Sequence, residues 1–131
     1  MFAGAAAQAD LVRHGTVSAI ELTEATLDRI AAINPTVNAY REVFAERALS
    51  DAADLDKANR ADVARLPLGG VPVAVKDTID VEGSVTTYGT AAVERPASGD
   101  APIVAALRAA GAVIIGKTTC SELARLTRSA R

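Results

Sequence analysis

Tryptophan is absent from the 131 residues, and aromatic residues make up only 3% of them. Any core must therefore be assembled from alanine, valine, leucine and isoleucine, and single-stranded nucleic acid finds no aromatic platform on which to stack. Excess basic charge is lacking too. Fourteen Lys and Arg stand against 16 Asp and Glu, for a formal net charge of −2. A nucleic-acid surface needs a basic stripe that displaces counterions from phosphates, so no nucleic-acid partner is expected. The lone cysteine, Cys120, cannot close an internal disulfide, which points to a reducing cytoplasm. No apolar run approaches the ~20 residues needed to cross a bilayer. The N-terminal MFAGAAAQADLVRHG has no basic leader region and is interrupted by Asp10 and Arg13, a poor match to a signal peptide. No membrane partner is expected. His14 has no acidic or cysteine partners spaced to hold a metal.

What the chain has in abundance is small and apolar. Half of the residues are apolar and 29 are alanine, the strongest helix former. That is too apolar and too weakly charged for disorder, and the length fits one ordinary domain. A short helix is predicted over residues 5–13, stopping at His14-Gly15. Ser18 with Glu21 forms a capping box for a second helix, whose stripe runs through Ile20, Leu27, Ile30 and Ile33 and ends at Asn34-Pro35. An extended piece follows at 37–40, then a helix from about 44 to 59. The pattern then changes. Residues 71–75 read as a compact β-branched strand and 77–89 as a loop. Asp100 is placed to cap a helix over 101–110, and Gly111 closes it. Residues 112–115 form a buried strand, and Thr119 with Glu122 makes a second capping box for a final helix. Strand, crossover helix and strand over 71–115 predict a parallel pair.

Two lysine motifs compete for chemistry. Gly111-Ala-Val-Ile-Ile-Gly116-Lys117-Thr118 satisfies the phosphate-loop pattern GxxxxGK[ST] letter for letter. Its four variable residues favour a buried strand over a phosphate cradle, and a helix rather than a strand precedes Gly111. Nucleotide binding at 111–118 is therefore the least favoured reading. The second motif is Gly70-Val-Pro-Val-Ala-Val-Lys76-Asp77. A lysine at the C-terminal end of an apolar strand sits where open α/β sheets place functional groups. Burial disfavours the charged form of a lysine, which suits an amine to act as a base. The alternative is a strand-end lysine paired with Asp77 or Asp80 at the surface.

The runs LPLGGVPVAVKDTIDVEGSVTTYGT and DAPIVAALRAAGAVIIGKTTCSELA, with SAIELTEATLDRIAAINPTVNAY upstream, resemble the N-terminal third of the amidase signature family. GVPVAVKD followed some 35 to 40 residues later by AAGAVIIGKT is a specific combination. The resemblance covers about residues 10–124, with 125–131 diverging, and implies that 1–131 is the N-terminal part of a single amidase domain. The implied fold class is α/β: a helical N-terminal half followed by the first βαβ strands of a mixed-sheet fold, incomplete. The implied activity is hydrolysis of a carboxylic amide C–N bond in a small-molecule substrate, with no metal or cofactor. Family members use a nucleophilic serine, a second serine held by a cis peptide bond, and a lysine in the motif that Lys76 matches. By that likeness Lys76 is the catalytic base, accepting a proton from the bridging serine, which in turn deprotonates the nucleophile.

Departures from the family are equally informative. The glycine- and serine-rich signature of the form GGSSGGSAAA, which carries the nucleophile and the oxyanion donors, has no counterpart in the 131 residues. Ser84, Ser98, Ser121 and Ser129 stand in other contexts, and none is assigned as nucleophile. The likeness is lost near Leu126, where ARLTRSAR brings in Arg125, Arg128 and Arg131. A broken reading frame, an artificial boundary and a genuine short protein are the open explanations. The chain alone is expected to be inactive. The alternatives are a non-catalytic assembly or binding fragment that complements a partner chain carrying the rest, and a subunit of the transamidation type. Cys120 reads as a packing residue, and the Thr86-Thr87-Tyr88-Gly89-Thr90 run as a structural loop.

Overall fold

The computed structural model describes residues 4–124; the predicted divergent tail, with its three arginines and Ser129, lies outside the described residues. Helix α1 spans Ala5–Arg13 and ends as expected, with Gly15 at a left-handed φ of 67°. Helix α2, Ala19–Val37, opens on the predicted capping box. Ser18 Oγ accepts from the Glu21 amide at 3.0 Å, and Glu21 Oε2 accepts from the Ser18 amide at 2.8 Å. A distant residue completes the cap: the Asp56 carboxylate accepts from the amides of Ala19 at 2.8 Å and Ile20 at 2.9 Å. The first three helical amides, orphaned in any helix, are thus each bound by a side chain.

The end of α2 corrects the sequence reading. Asn34-Pro35 does not stop the helix, which continues to Val37 and closes at Asn38, a left-handed residue whose amide bonds Asn34 O at 2.8 Å. So near the terminus, proline forfeits a single backbone donor rather than the ladder. The Asn34 side chain instead brackets Tyr40, accepting from its amide at 2.8 Å and donating to its carbonyl at 3.0 Å. This turns the chain into strand β1, Tyr40–Val43, which begins where the extended piece was expected to end.

Helix α3, Ala45–Lys57, matches the prediction, and a short helix α4, Arg60–Val63, was not foreseen. Strand β2 spans Pro72–Lys76, helix α5 Pro102–Ala109 and strand β3 Val113–Thr118. Two predicted caps are not made. Ala101, not Asp100, stands at the N-cap of α5 without a side-chain bond. The Asp100 carboxylate is drawn off by the Glu82 amide at 2.9 Å and Arg108 Nε at 2.8 Å. Thr119 Oγ1 donates to Asn38 O at 2.8 Å rather than capping a helix, and Glu122–Ala124 is a 3-10 turn with Leu123 left-handed. The remainder of the predicted final helix lies outside the described residues.

The sheet order is β1-β3-β2, with β1 antiparallel and β2 parallel to β3. The predicted parallel pair is present, and the mostly helical N-terminal half contributes a strand of its own. The mixed α/β class stands. Two apolar cores flank the sheet. On one side Ala19, Ile30, Ala48 and Ala52 of α2 and α3 pack with Val113 and Ile115. Alanines at that seam let the helix backbones approach closely, which explains the use of a residue the sequence holds in excess. On the other side Val75, Val81 and Ile114 pack with Val104 of α5.

Strand β3 carries a bulge that decides where Lys117 goes. Val73 pairs with Ile114, but the next residue, Ala74, pairs with Gly116. Val113 and Ile115 share the α2–α3 core, so strict alternation would carry Lys117 into it as well. The extra residue reverses the alternation, and Lys117 pairs with Val75 instead. Glycine is needed at 116 because a Cβ there would meet the Glu42 carbonyl and lie 3.2 Å from Val43 Cα in β1.

Candidate functional site

The C-terminal ends of β2 and β3 lie side by side, with Lys76 opposite Thr118. Val75 and Asp77 are buried, and Lys76 between them is exposed. The surface position of the alternative reading is found and the burial expected of the amine is not, but the expected pairing with Asp77 or Asp80 is not made. Among the described residues Lys76 makes no ion pair and no side-chain hydrogen bond, because both nearby carboxylates are committed elsewhere. Asp77 binds Lys117, Arg41 and Thr87, and Asp80 accepts from Thr86 Oγ1 at 2.6 Å. The Lys76 backbone is fixed all the same, since its carbonyl accepts from the Ile79 amide at 3.0 Å.

Beside Lys76 lies a buried polar cluster that sequence reasoning missed. Lys117 is 0% exposed and Asp77 1%. The Lys117 ammonium donates to Thr86 Oγ1 at 2.7 Å and Val85 O at 3.2 Å, and pairs with Asp77 Oδ1 at 3.2 Å. Three donors meet three acceptors, so the buried charge is fully used. Asp77 Oδ2 pairs with Arg41 Nε at 2.8 Å and accepts from the Thr87 hydroxyl, while Oδ1 accepts from the Thr87 amide at 3.3 Å. Arg41 also donates to Val85 O at 2.7 Å, and Ser84 Oγ to Glu42 Oε2 at 2.6 Å. Residues of β1 and β3, and Asp77 just after β2, thus converge on the 84–88 loop. Burial alone would push the Asp77 carboxyl up, but the Thr87 hydroxyl and amide, the Lys117 ammonium and the Arg41 guanidinium outweigh it and hold it below the usual range.

The remaining candidates sort by their contacts. Thr86 and Thr87 hold the cluster together through their hydroxyls. Ser84 is buried against Glu42 and Ser98 is exposed. Cys120 is half-buried and donates its thiol to Asp77 O at 3.7 Å. His14 Nδ1 bonds Asp10 O at 2.8 Å, and no group of metal-ligating side chains occurs among the described residues. The phosphate-cradle reading of 111–118 is overturned: residues 113–118 lie in the sheet ladder between two strands, and the motif's lysine is buried on Asp77. A glycine-lysine pair at the end of a β-branched run was the available signal for that bulge and buried lysine, but its carboxylate partner is 40 residues upstream.

The family model described as Amidase matches residues 21–130. AmiB2 of Mycobacterium tuberculosis (strain ATCC 25618 / H37Rv), provisionally named an amidase, is 49% identical over 123 residues, covering 93% of this chain and 26% of AmiB2. A glutamyl-tRNA(Gln) amidotransferase subunit of Salinispora tropica is 46% identical over 122 residues, 92% of this chain and 25% of that protein. Among solved structures, the native peptide amidase of Stenotrophomonas maltophilia superposes with a TM-score of 0.80 at 37% identity, over 90% of this chain and 25% of that enzyme. The chain spans about a quarter of the length of the relatives it matches.

Proposed function

The chain belongs to the amidase family, and from that membership we propose that it supplies the proton-accepting lysine of an enzyme that hydrolyses amide C–N bonds. The supporting observation is Lys76: a free, exposed amine at the C-terminal end of a parallel strand, with both neighbouring carboxylates engaged elsewhere. In the assembled enzyme the neutral amine takes a proton from a bridging serine, and that serine deprotonates a nucleophilic serine. Attack on the amide carbonyl expels the amine and leaves an acyl-serine, which water cleaves. Both serines and the oxyanion donors belong to a glycine- and serine-rich segment that the 131 residues do not contain. Residues 1–131, one part of an amidase domain, are therefore inactive by themselves and work with a partner segment on small-molecule amides in the cytoplasm, without metal or cofactor. Among the described residues no helix is long and apolar enough to cross a membrane. The 46% identity to an amidotransferase subunit supports a second reading, in which the amide is opened to transfer ammonia rather than to release it.

Reconstitution tests the first reading. Co-expressed with the part of AmiB2 that follows its matching stretch, the chain should release ammonia or amine from simple amides, and a serine-directed fluorophosphonate should block the release. The chain alone should give none. Lys76→Ala should lower the reconstituted rate by about a thousandfold or more. Turnover that survives Lys76→Ala, or fluorophosphonate-sensitive turnover by the 131 residues alone, would overturn it.

A further inference from the structure

We propose that Lys117, with Asp77 as its counter-ion, is a positioning residue for Lys76; the inference rests on reading Lys76 as the proton-accepting amine. Lys117 occupies a strand whose preceding residues are Val113, Ile114 and Ile115, all buried. A buried ion pair in such a place is often replaceable by apolar residues without loss of stability, so filling space does not account for a lysine there. Its contacts instead tie together two segments, the residue after Lys76 and the 85–86 loop. Every acceptor of its ammonium belongs either to Asp77, the residue that follows Lys76, or to the adjoining pair Val85 and Thr86.

Asp77 is then held from every side. Its carboxylate binds Lys117 from β3, Arg41 from β1 and Thr87 from the loop. Its amide donates to Thr118 O at 3.0 Å, and its carbonyl accepts from the Tyr88 amide at 3.0 Å. A residue so fixed also fixes the peptide it shares with Lys76. That matters because an exposed four-carbon side chain has no contacts of its own to aim it. Lys117 acts electrostatically as well. Together with Arg41 it offsets the Asp77 charge one residue from Lys76.

Hydrogen exchange and competitive acetylation of the 131-residue chain test the proposal together. In Lys117→Met the amides of Asp77, Thr87 and Tyr88 should exchange about tenfold faster or more, while amides in the middle of α2 keep their protection. Unchanged exchange at those three amides, or an equal rise throughout the chain, would overturn it. Acetylation of Lys76 by acetic anhydride is measured at fixed alkaline pH against exposed Lys57. The Lys76-to-Lys57 ratio should fall about twofold in Lys117→Met, a small factor because solvent screens the exposed amine. A ratio that stays constant would reduce Lys117 to a structural residue and overturn the proposal. Should Lys117→Met not fold, Thr86→Val removes the hydroxyl that the ammonium meets at 2.7 Å and that also donates to Asp80; the same rise in exchange at Asp77, Thr87 and Tyr88 is expected, and unchanged exchange there would overturn the proposal. None of these readouts needs turnover, so a reconstituted Lys76→Ala enzyme that stays active refutes the base assignment without touching the exchange and acetylation results.

Discussion

At Asp77 two cations, a hydroxyl and an amide converge on one carboxylate. Such a group carries a pH signature whose sign follows from its direction of shift. Its folded-state value lies below the ordinary one of about 3.9, so the folded state prefers the ionised form more strongly than the unfolded chain does. The stability it contributes is complete above pH ~3.9 and is lost as pH falls through the lower folded value. Urea midpoints measured between pH 7 and pH 2 should show wild type losing stability on acidification below about pH 4. Asp77→Asn should be less stable at pH 7 and flatter across the acid range, because an amide cannot titrate. A variant that tracks the wild type across the acid limb would show that another carboxylate carries the effect. Asp100 is the comparison: burial pushes its carboxyl up, but the Glu82 amide and the Arg108 and Arg47 guanidinium groups outweigh this and lower it too.

Elements in this chain were legible where their signals are local. The capping box at Ser18 and Glu21 needs only a spacing of three, and β2 needs only its β-branched run. The other half of the α2 cap comes from Asp56, 36 or 37 residues away, and no window of sequence displays it. The two halves serve different amides, so each should cost separately. Ser18→Ala and Asp56→Ala are each expected to lower stability by about 1 kcal/mol, with Asp56→Asn recovering part because its amide oxygen still accepts. Urea unfolding checks this, and an unchanged midpoint in Asp56→Ala would show the contact to be idle. Long-range competition also explains the failed caps, since Asp100 and Thr119 were claimed by Arg108 and Asn38. For the candidate site, the strand-end position of Lys76 was readable from its motif, while its proposed role came only from the family resemblance. Lys117 was not, because its burial depends on a bulge in the pairing of β3 with β2, about 40 residues away in sequence.

Across the whole molecule, β3 is the element that neither core can spare. It lies between β1 and β2, and its successive side chains enter opposite cores, with Ile114 packed against α5 and Ile115 against α2 and α3. Two layers that meet through one strand should unfold as one unit, since losing either face of β3 frees the backbone that the other face needs. Truncating Ile114 or Ile115 to alanine removes buried methylene and methyl groups and leaves a cavity, at a cost of about 2–5 kcal/mol each. A loss of that size is comparable with a small domain's whole stability. The decisive observation is where the loss is felt. In Ile114→Ala the α3 amides, on the far side of the sheet, should lose hydrogen-exchange protection along with those of α5, and Ile115→Ala should do the converse. If each substitution loosens only its own side, the two cores are separate cooperative units joined by a passive strand. The fixed separation of Lys76 from its supporting cluster would then have to be maintained by the Asp77 contacts alone.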